Sequence, residues 1–223
     1  MTAKIWWLIH KDMMSECRAR QVLPVMTVLG VGVVLVFALQ MDLQPAEQQR
    51  LVGGLLWLAI FFAGSVALDR SFSSEREAGC LEGLLLHPIP AAAVYLAKLA
   101  VSVLALLCLE CVLVPLFVVL SNAPLFEHPG AMLLVMTLGN LGITSVGTLL
   151  SAMTCGTRHR SNLLIILTLP LVLPVVLGAA EATRLMIAGN LGSQWRCWVQ
   201  LLAAFAGIFI TAGIVLFEYI VEE

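Results

Sequence analysis

Six apolar stretches, each about as long as the roughly 20-residue helix that crosses a hydrocarbon core of about 30 Å, constrain this chain more than any motif in it. They run from Val22 to Leu39, Leu51 to Leu68, Leu96 to Leu120, Ala131 to Met153, Leu163 to Ala180 and Val199 to Ile220. All six are continuously apolar and lack the alternation of an outer-membrane barrel strand, so helices are predicted. Composition points the same way: 61% of the 223 residues are hydrophobic and 12% are charged, against roughly a quarter charged in soluble domains. A net charge of -2 leaves no basic excess for a nucleic-acid backbone, and that partner class is set aside. The predicted fold is an all-α membrane protein, a single transmembrane domain over residues 1–223 with six spans.

Orientation follows from the basic residues in the connections. Lys4, Lys11, Arg18 and Arg20 precede span one, Arg70, Arg76 and Lys98 belong to the passage from span two to span three, and Arg158 and Arg160 separate spans four and five. Only Arg50, Arg184 and Arg196 fall on the other side, a split of nine to three that predicts both termini in the cytoplasm. The first apolar run is too long for a signal-peptide core and has no small-residue cleavage pattern after it, so it is expected to stay in the mature chain. Residues 1–21 place Ile5, Leu8, Ile9 and Met13 on one helical stripe, with Trp6 and Trp7 suited to the headgroup level. They read as an interfacial helix, the alternative being a solvated tail.

The passage from Asp69 to Pro90 carries more information. Asp69, Arg70, Glu75, Arg76, Glu77 and Glu82 crowd into fourteen residues, and Leu81, Leu84, Leu85 and Leu86 follow before Pro88 and Pro90. A short amphipathic cytoplasmic helix is predicted, ended by the prolines. Four acids against two arginines suit an anionic leaflet poorly and a protein groove better, so the segment reads as a docking element; the plainer alternative is a solvated loop between two spans.

Glu110 lies near the middle of span three, where an ionised side chain costs about 3 kcal/mol or more. Either a protonated carboxyl bonds to another helix, or a carboxylate faces a wet cavity or a partner's cation. In span five, Pro170 and Pro174 leave the carbonyls of Ile166 and Pro170 without their helical donors, so this helix is expected to kink or break beside protein or water. Thr144, Thr148 and Ala152, and likewise Ala203, Gly207 and Thr211, are small residues four apart that suit close helix packing, within the chain or across a dimer.

Catalytic and metal chemistry finds no motif. Cys108 and Cys111 form a C-x-x-C in a membrane-depth helix, but Val112 stands where haem attachment needs His, so they read as apolar filling. Cys197 has no outward-side thiol to pair with. His10, His87, His128 and His159 are dispersed, and His128 reads as an interfacial loop residue rather than a haem ligand. Ser145 lacks the nucleophile-elbow turn. A phosphate-binding loop needs Gly immediately before Lys, whereas Lys4, Lys11 and Lys98 follow Ala3, His10 and Ala97. Any ATP-driven work must come from a separate subunit, which would give an acidic docking helix its purpose.

The run Leu68-Asp69-Arg70-Ser71-Phe72, then Glu75-Arg76-Glu77, Gly79-Cys80-Leu81-Glu82-Gly83-Leu84-Leu85-Leu86-His87-Pro88-Ile89-Pro90 and Ala97-Lys98-Leu99, resembles the cytoplasmic signature of the haem exporter permease of cytochrome c maturation, the CcmB family. Glu110 stands where that family keeps an acid in its third span, and Leu169-Pro170-Leu171-Val172-Leu173-Pro174 is similar to its doubled-proline fifth span. The resemblance covers essentially the whole chain, although Gly139 to Gly156 and Met186 to Trp198 match in character only. It implies a non-catalytic permease subunit that forms a homodimer with a second copy of itself and pairs with an ABC ATPase subunit that binds ATP and Mg. A haem-handling membrane protein, a small single-span subunit and a periplasmic haem chaperone complete the set of partners. Haem is then handled by the complex, with no cofactor assigned to this chain. Glu75, Arg76, Glu77, Leu81, Glu82, Leu84 and Leu85 become the ATPase-docking residues, and Glu110, Pro170 and Pro174 are expected to face other membrane subunits or a translocation cleft. Two rival readings share these features: the permease of an exporter for lipid, drug or polysaccharide, and an assembly scaffold that transports nothing.

Overall fold

The computed structural model describes residues 22–40, 45–77, 90–121, 124–154 and 160–222, together with His10. The predicted interfacial helix therefore lies outside the described residues apart from His10, as do residues 78–89 of the predicted coupling segment. The architecture is all-α, in the order α1 (Val22–Gln40), α2 (Pro45–Glu77), α3 (Ala91–Ser121), α4 (Pro129–Met153), α5 (Arg160–Ile187) and α6 (Ser193–Glu222). Among the described residues, four helices are long and apolar enough to cross a membrane: α3, α4, α5 over Ile166–Ile187 and α6 over Ser193–Phe217. Within the described residues, the apolar parts of α1 and α2 cover Leu23–Val36 and Leu51–Val66.

Local chemistry explains the ends. Pro129 sits in the first turn of α4, where its missing N–H is no loss. Gly189 closes α5 at φ +69, a left-handed conformation that favours glycine, and lets the Asn190 N–H reach Leu185 O at 2.9 Å and its own N–H reach Met186 O at 3.0 Å. That cap turns the chain sharply into α6.

Several boundaries depart from the apolar runs. α2 does not stop at Leu68 but continues through Asp69 to Glu77, because Asp-Arg-Ser-Phe-Ser-Ser-Glu-Arg-Glu contains no Gly or Pro to end it. Charge there marks the end of the apolar stretch and not the end of the helix, so residues 69–77 extend span two rather than open a separate helix. α3 starts at Ala91, directly after Pro90, which places Lys98 in its second turn and buries it instead of leaving it in an open connection. Of the kink or break expected in span five there is no break: α5 runs from Arg160 to Ile187 as one helix with Pro170 and Pro174 inside, and α3 likewise contains Pro115. Two lost backbone bonds do not break a helix whose other turns all stay bonded in an apolar setting.

α2, α3 and α4 form the centre of the bundle, each packed against four other helices. α2 packs against α1, α3, α4 and α5, while α4 packs against α2, α3, α5 and α6. The main core gathers Leu56, Trp57 and Ile60 of α2 with Leu113 of α3, Ile143 of α4 and Val175 of α5. A smaller cluster joins Tyr95 and Leu99 of α3 to Leu149 of α4 and Phe217 of α6. Lipid is as apolar as these side chains, so close approach rather than water exclusion holds such helices together. Trp57, fully buried, sets the six-membered ring of its indole against Gly139, in the space a side chain there would fill. Its indole Nε1–H donates to Thr183 Oγ1 at 3.0 Å, joining α2 to α5 as well. Of the two small-residue stripes, Thr144, Thr148 and Ala152 are buried within the chain, whereas Ala203, Gly207 and Thr211 are exposed on α6.

Candidate functional site

Asn140, Thr144, Ser145, Thr148 and Ser151 fall within three turns of α4, and all five are fully buried. Hydroxyls at membrane depth need partners, and two of these find them on their own helix: Thr144 Oγ1 donates to Asn140 O at 2.6 Å and Ser145 Oγ to Gly142 O at 3.0 Å. Other bonds leave the helix. Ser151 Oγ donates to Leu68 O of α2 at 2.9 Å, the Tyr95 hydroxyl of α3 donates to Ser145 O at 3.2 Å, and Asn140 Nδ2 donates to Glu110 Oε2 of α3 at 3.1 Å. α4 thus ties α2 and α3 together by polar contacts inside the bundle. Ser151→Ala is expected to remove the α2 bond at a cost of about 0.6 kcal/mol, the usual size of an interhelical hydrogen bond in a membrane. It should register as a small drop in detergent melting temperature with unchanged assembly.

Glu110 is the titratable residue at the centre of this seam, only 5% exposed. The structure places its carboxyl against another helix, where Glu110 Oε2 accepts from Asn140 Nδ2 of α4. Its partner Asn140 was not singled out by the sequence argument. The signal was present, since an Asn in the middle of an apolar span carries the same penalty that drew attention to Glu110.

The other candidates lie elsewhere. Glu75, Arg76 and Glu77 form the end of α2, while Leu81, Glu82, Leu84 and Leu85 are outside the described residues. Pro170 and Pro174 sit on the exposed face of α5, beside Ile166 at 66% and Leu177 at 57% exposure. α5 packs against α2, α4 and α6, whereas α3 packs against α1, α2, α4 and α6. The proline face of α5 and the buried Glu110–Asn140 contact are therefore separate features. Cys108 and Cys111 are free thiols on the exposed side of α3, as Cys197 is on α6, so the C-x-x-C does not fill the core. Among the described residues, no group of three or more His, Cys, Asp or Glu side chains is placed to hold a metal ion.

The family model described as CcmB protein matches residues 3–218. The chain belongs to the CcmB family. The match reaches into all six helices, so the CcmB resemblance carried by Leu68 to Pro90, Glu110 and the doubled prolines extends through the whole bundle. Relatives agree. "Heme exporter protein B" of Pseudomonas aeruginosa is 31% identical over 178 residues, 78% of each chain. A protein of the same name from Bradyrhizobium diazoefficiens is 29% identical over 213 residues, 92% of this chain and 94% of that one. Its Escherichia coli K12 counterpart is 31% identical over 154 residues, covering 67% and 68%.

Proposed function

We propose that this CcmB chain is the membrane permease subunit of an ABC-type haem export complex in cytochrome c maturation. A separate ATPase subunit hydrolyses ATP, and its closure moves the membrane helices to release the haem-loaded periplasmic chaperone. The relatives, each named heme exporter protein B, support haem as the cargo class. The observation that carries the coupling role is the course of α2. Its 33 residues amount to about 50 Å of helix, against a hydrocarbon core of about 30 Å. One unbroken helix therefore joins the Trp57 contact with α4 and α5 to the acidic end at Glu75, Arg76 and Glu77. A push received there reaches the packed core without a joint to absorb it. In this reading α1 and α2 also cross the membrane, giving six spans. The nine-to-three division of basic residues puts both termini and the end of α2 in the cytoplasm.

The docking surface comprises the end of α2 followed by Leu81, Glu82, Leu84 and Leu85, and a second permease copy and a second ATPase complete a two-fold assembly. Glu75→Lys combined with Glu77→Lys is expected to lower co-purification of the ATPase by at least about tenfold, with the chain still in the membrane fraction. Unchanged recovery of the ATPase would remove the docking role. An ATPase subunit unable to hydrolyse ATP should abolish cytochrome c formation. Formation without hydrolysis would favour the scaffold reading, and a phenotype indifferent to haem supply would favour a different cargo.

A further inference from the structure

Hydrogen-bond accounting around Glu110 leaves a specific remainder. Asn140 Nδ2 donates to Glu110 Oε2, while Glu110 Oε1 and Asn140 Oδ1 are both buried without a partner. The two orphans are the remaining oxygens of the two groups already in contact, and both are acceptors. A carboxylate has no hydrogen to give, so with Glu110 ionised neither orphan can be satisfied by the other. A single proton on Oε1 changes this, because it supplies the donor that Asn140 Oδ1 lacks and gives Oε1 a bond of its own. Turning the amide over does not help a carboxylate: it exchanges nitrogen and oxygen, and the pair is still one donor short.

Among the described residues no donor reaches either orphan, and no other titratable group on the packed helices stands beside Glu110. α1 has no titratable residue, nor does α4, and α2 has none between Leu51 and Leu68. On α3, Lys98 is twelve residues from Glu110, about 18 Å along the helix, Tyr95 is farther and donates to Ser145 O, and Cys108 and Cys111 are exposed. On α6, Arg196 and Cys197 lie in the first turns, with Glu218, Tyr219 and Glu222 at the far end. His128 precedes α4 by one residue and stands about 18 Å along the axis from Asn140.

We infer that Glu110 and Asn140 form a proton-binding site between α3 and α4, in which a neutral Glu110 carboxyl donates from Oε1 to Asn140 Oδ1 while Asn140 Nδ2 donates to Oε2. The bound proton completes a closed two-bond pair at the bundle centre. Loss of that proton turns the inner contact into two opposed acceptors, one of them charged, and loosens α3 from α4. The site is independent of the docking role assigned to α2.

Infrared spectroscopy of the full chain in detergent tests it. A protonated-carboxyl C=O band is expected at neutral pH and should be absent from Glu110→Gln. Because glutamine reproduces both bonds as an amide–amide pair, Glu110→Gln should melt within a few degrees of the parent. Glu110→Ala and Asn140→Ala should each melt clearly lower, and the double variant no lower than the worse of the two. Absence of the band, or a Glu110→Gln protein as unstable as Glu110→Ala, overturns the proposal. A melting temperature that rises with sodium but not with choline at equal ionic strength overturns it too, by assigning the site to a metal cation.

Discussion

Gly53→Val is expected to abolish recovery of a monodisperse bundle in mild detergent, while Gly54→Val one position away leaves it intact. A Cβ at Gly53 falls 2.5 Å from the carbonyl oxygen of Ala180 and 3.3 Å from the amide nitrogen of Arg184. It would thus lie about 1 Å inside ordinary contact distance. Both atoms are backbone, four residues apart on α5, so no rotamer change relieves the clash and the whole of α5 must move. Overpacking that forces backbone shifts costs about 1–3 kcal/mol or more, and here the shift also parts the Trp57 indole from Thr183 at the same crossing. Gly54 faces open space, with no atom within 4 Å of an added Cβ, and so controls for helix propensity and hydrophobicity. Equal recovery of the two variants in size-exclusion profiles would show that α2 and α5 do not cross at Gly53.

Trp57→Ala should lower the unfolding free energy by about 3–5 kcal/mol, the range for removing a fully buried aromatic side chain. The ring contacts Gly139 of α4 and its indole nitrogen bonds to Thr183 of α5, so truncation opens a cavity where three helices meet. Trp57→Phe separates the contributions. It keeps most of the ring contact and loses the bond to Thr183, for which about 0.6 kcal/mol is expected. Thermal melting of the three proteins in the same detergent should rank parent, Phe and Ala with the wider gap between Phe and Ala. A Phe variant as damaged as Ala would mean that the hydrogen bond, and not the packing, carries the joint.

Hydropathy along the chain located each of the six described helices, because a run of apolar residues long enough for the bilayer has few alternatives to a helix. It located their ends less well. The charged residues from Asp69 to Glu77 announce water, yet helix bonds continue through them, since polarity and helix formation are separate properties of a sequence. Prolines did not mark an end either: Pro170 and Pro174 each delete a bond, yet α5 continues through both and carries them on its exposed face. Glu110 was recognisable from its cost at membrane depth. Its direction was not, because a span read alone does not say which of its faces meets a neighbour. Asn140 fell inside a stretch matched only in general character, and the bond from α4 to α3 needs two helices to be seen together.

The polar seam of α4 also bears on how the chain enters the membrane. α4 is the least apolar of the four helices long enough to span, and the most thoroughly enclosed by the others, whereas α6 is strongly apolar and mostly uncovered. A segment with Asn140 and four buried hydroxyl residues partitions poorly into bare lipid. α2 and α3, which offer Leu68 O and Glu110 as partners, emerge from the ribosome before it. Helix order along the chain thus lets the insertion machinery release α4 onto companions already in place, and a version with α4 placed ahead of them should be retained poorly by the bilayer.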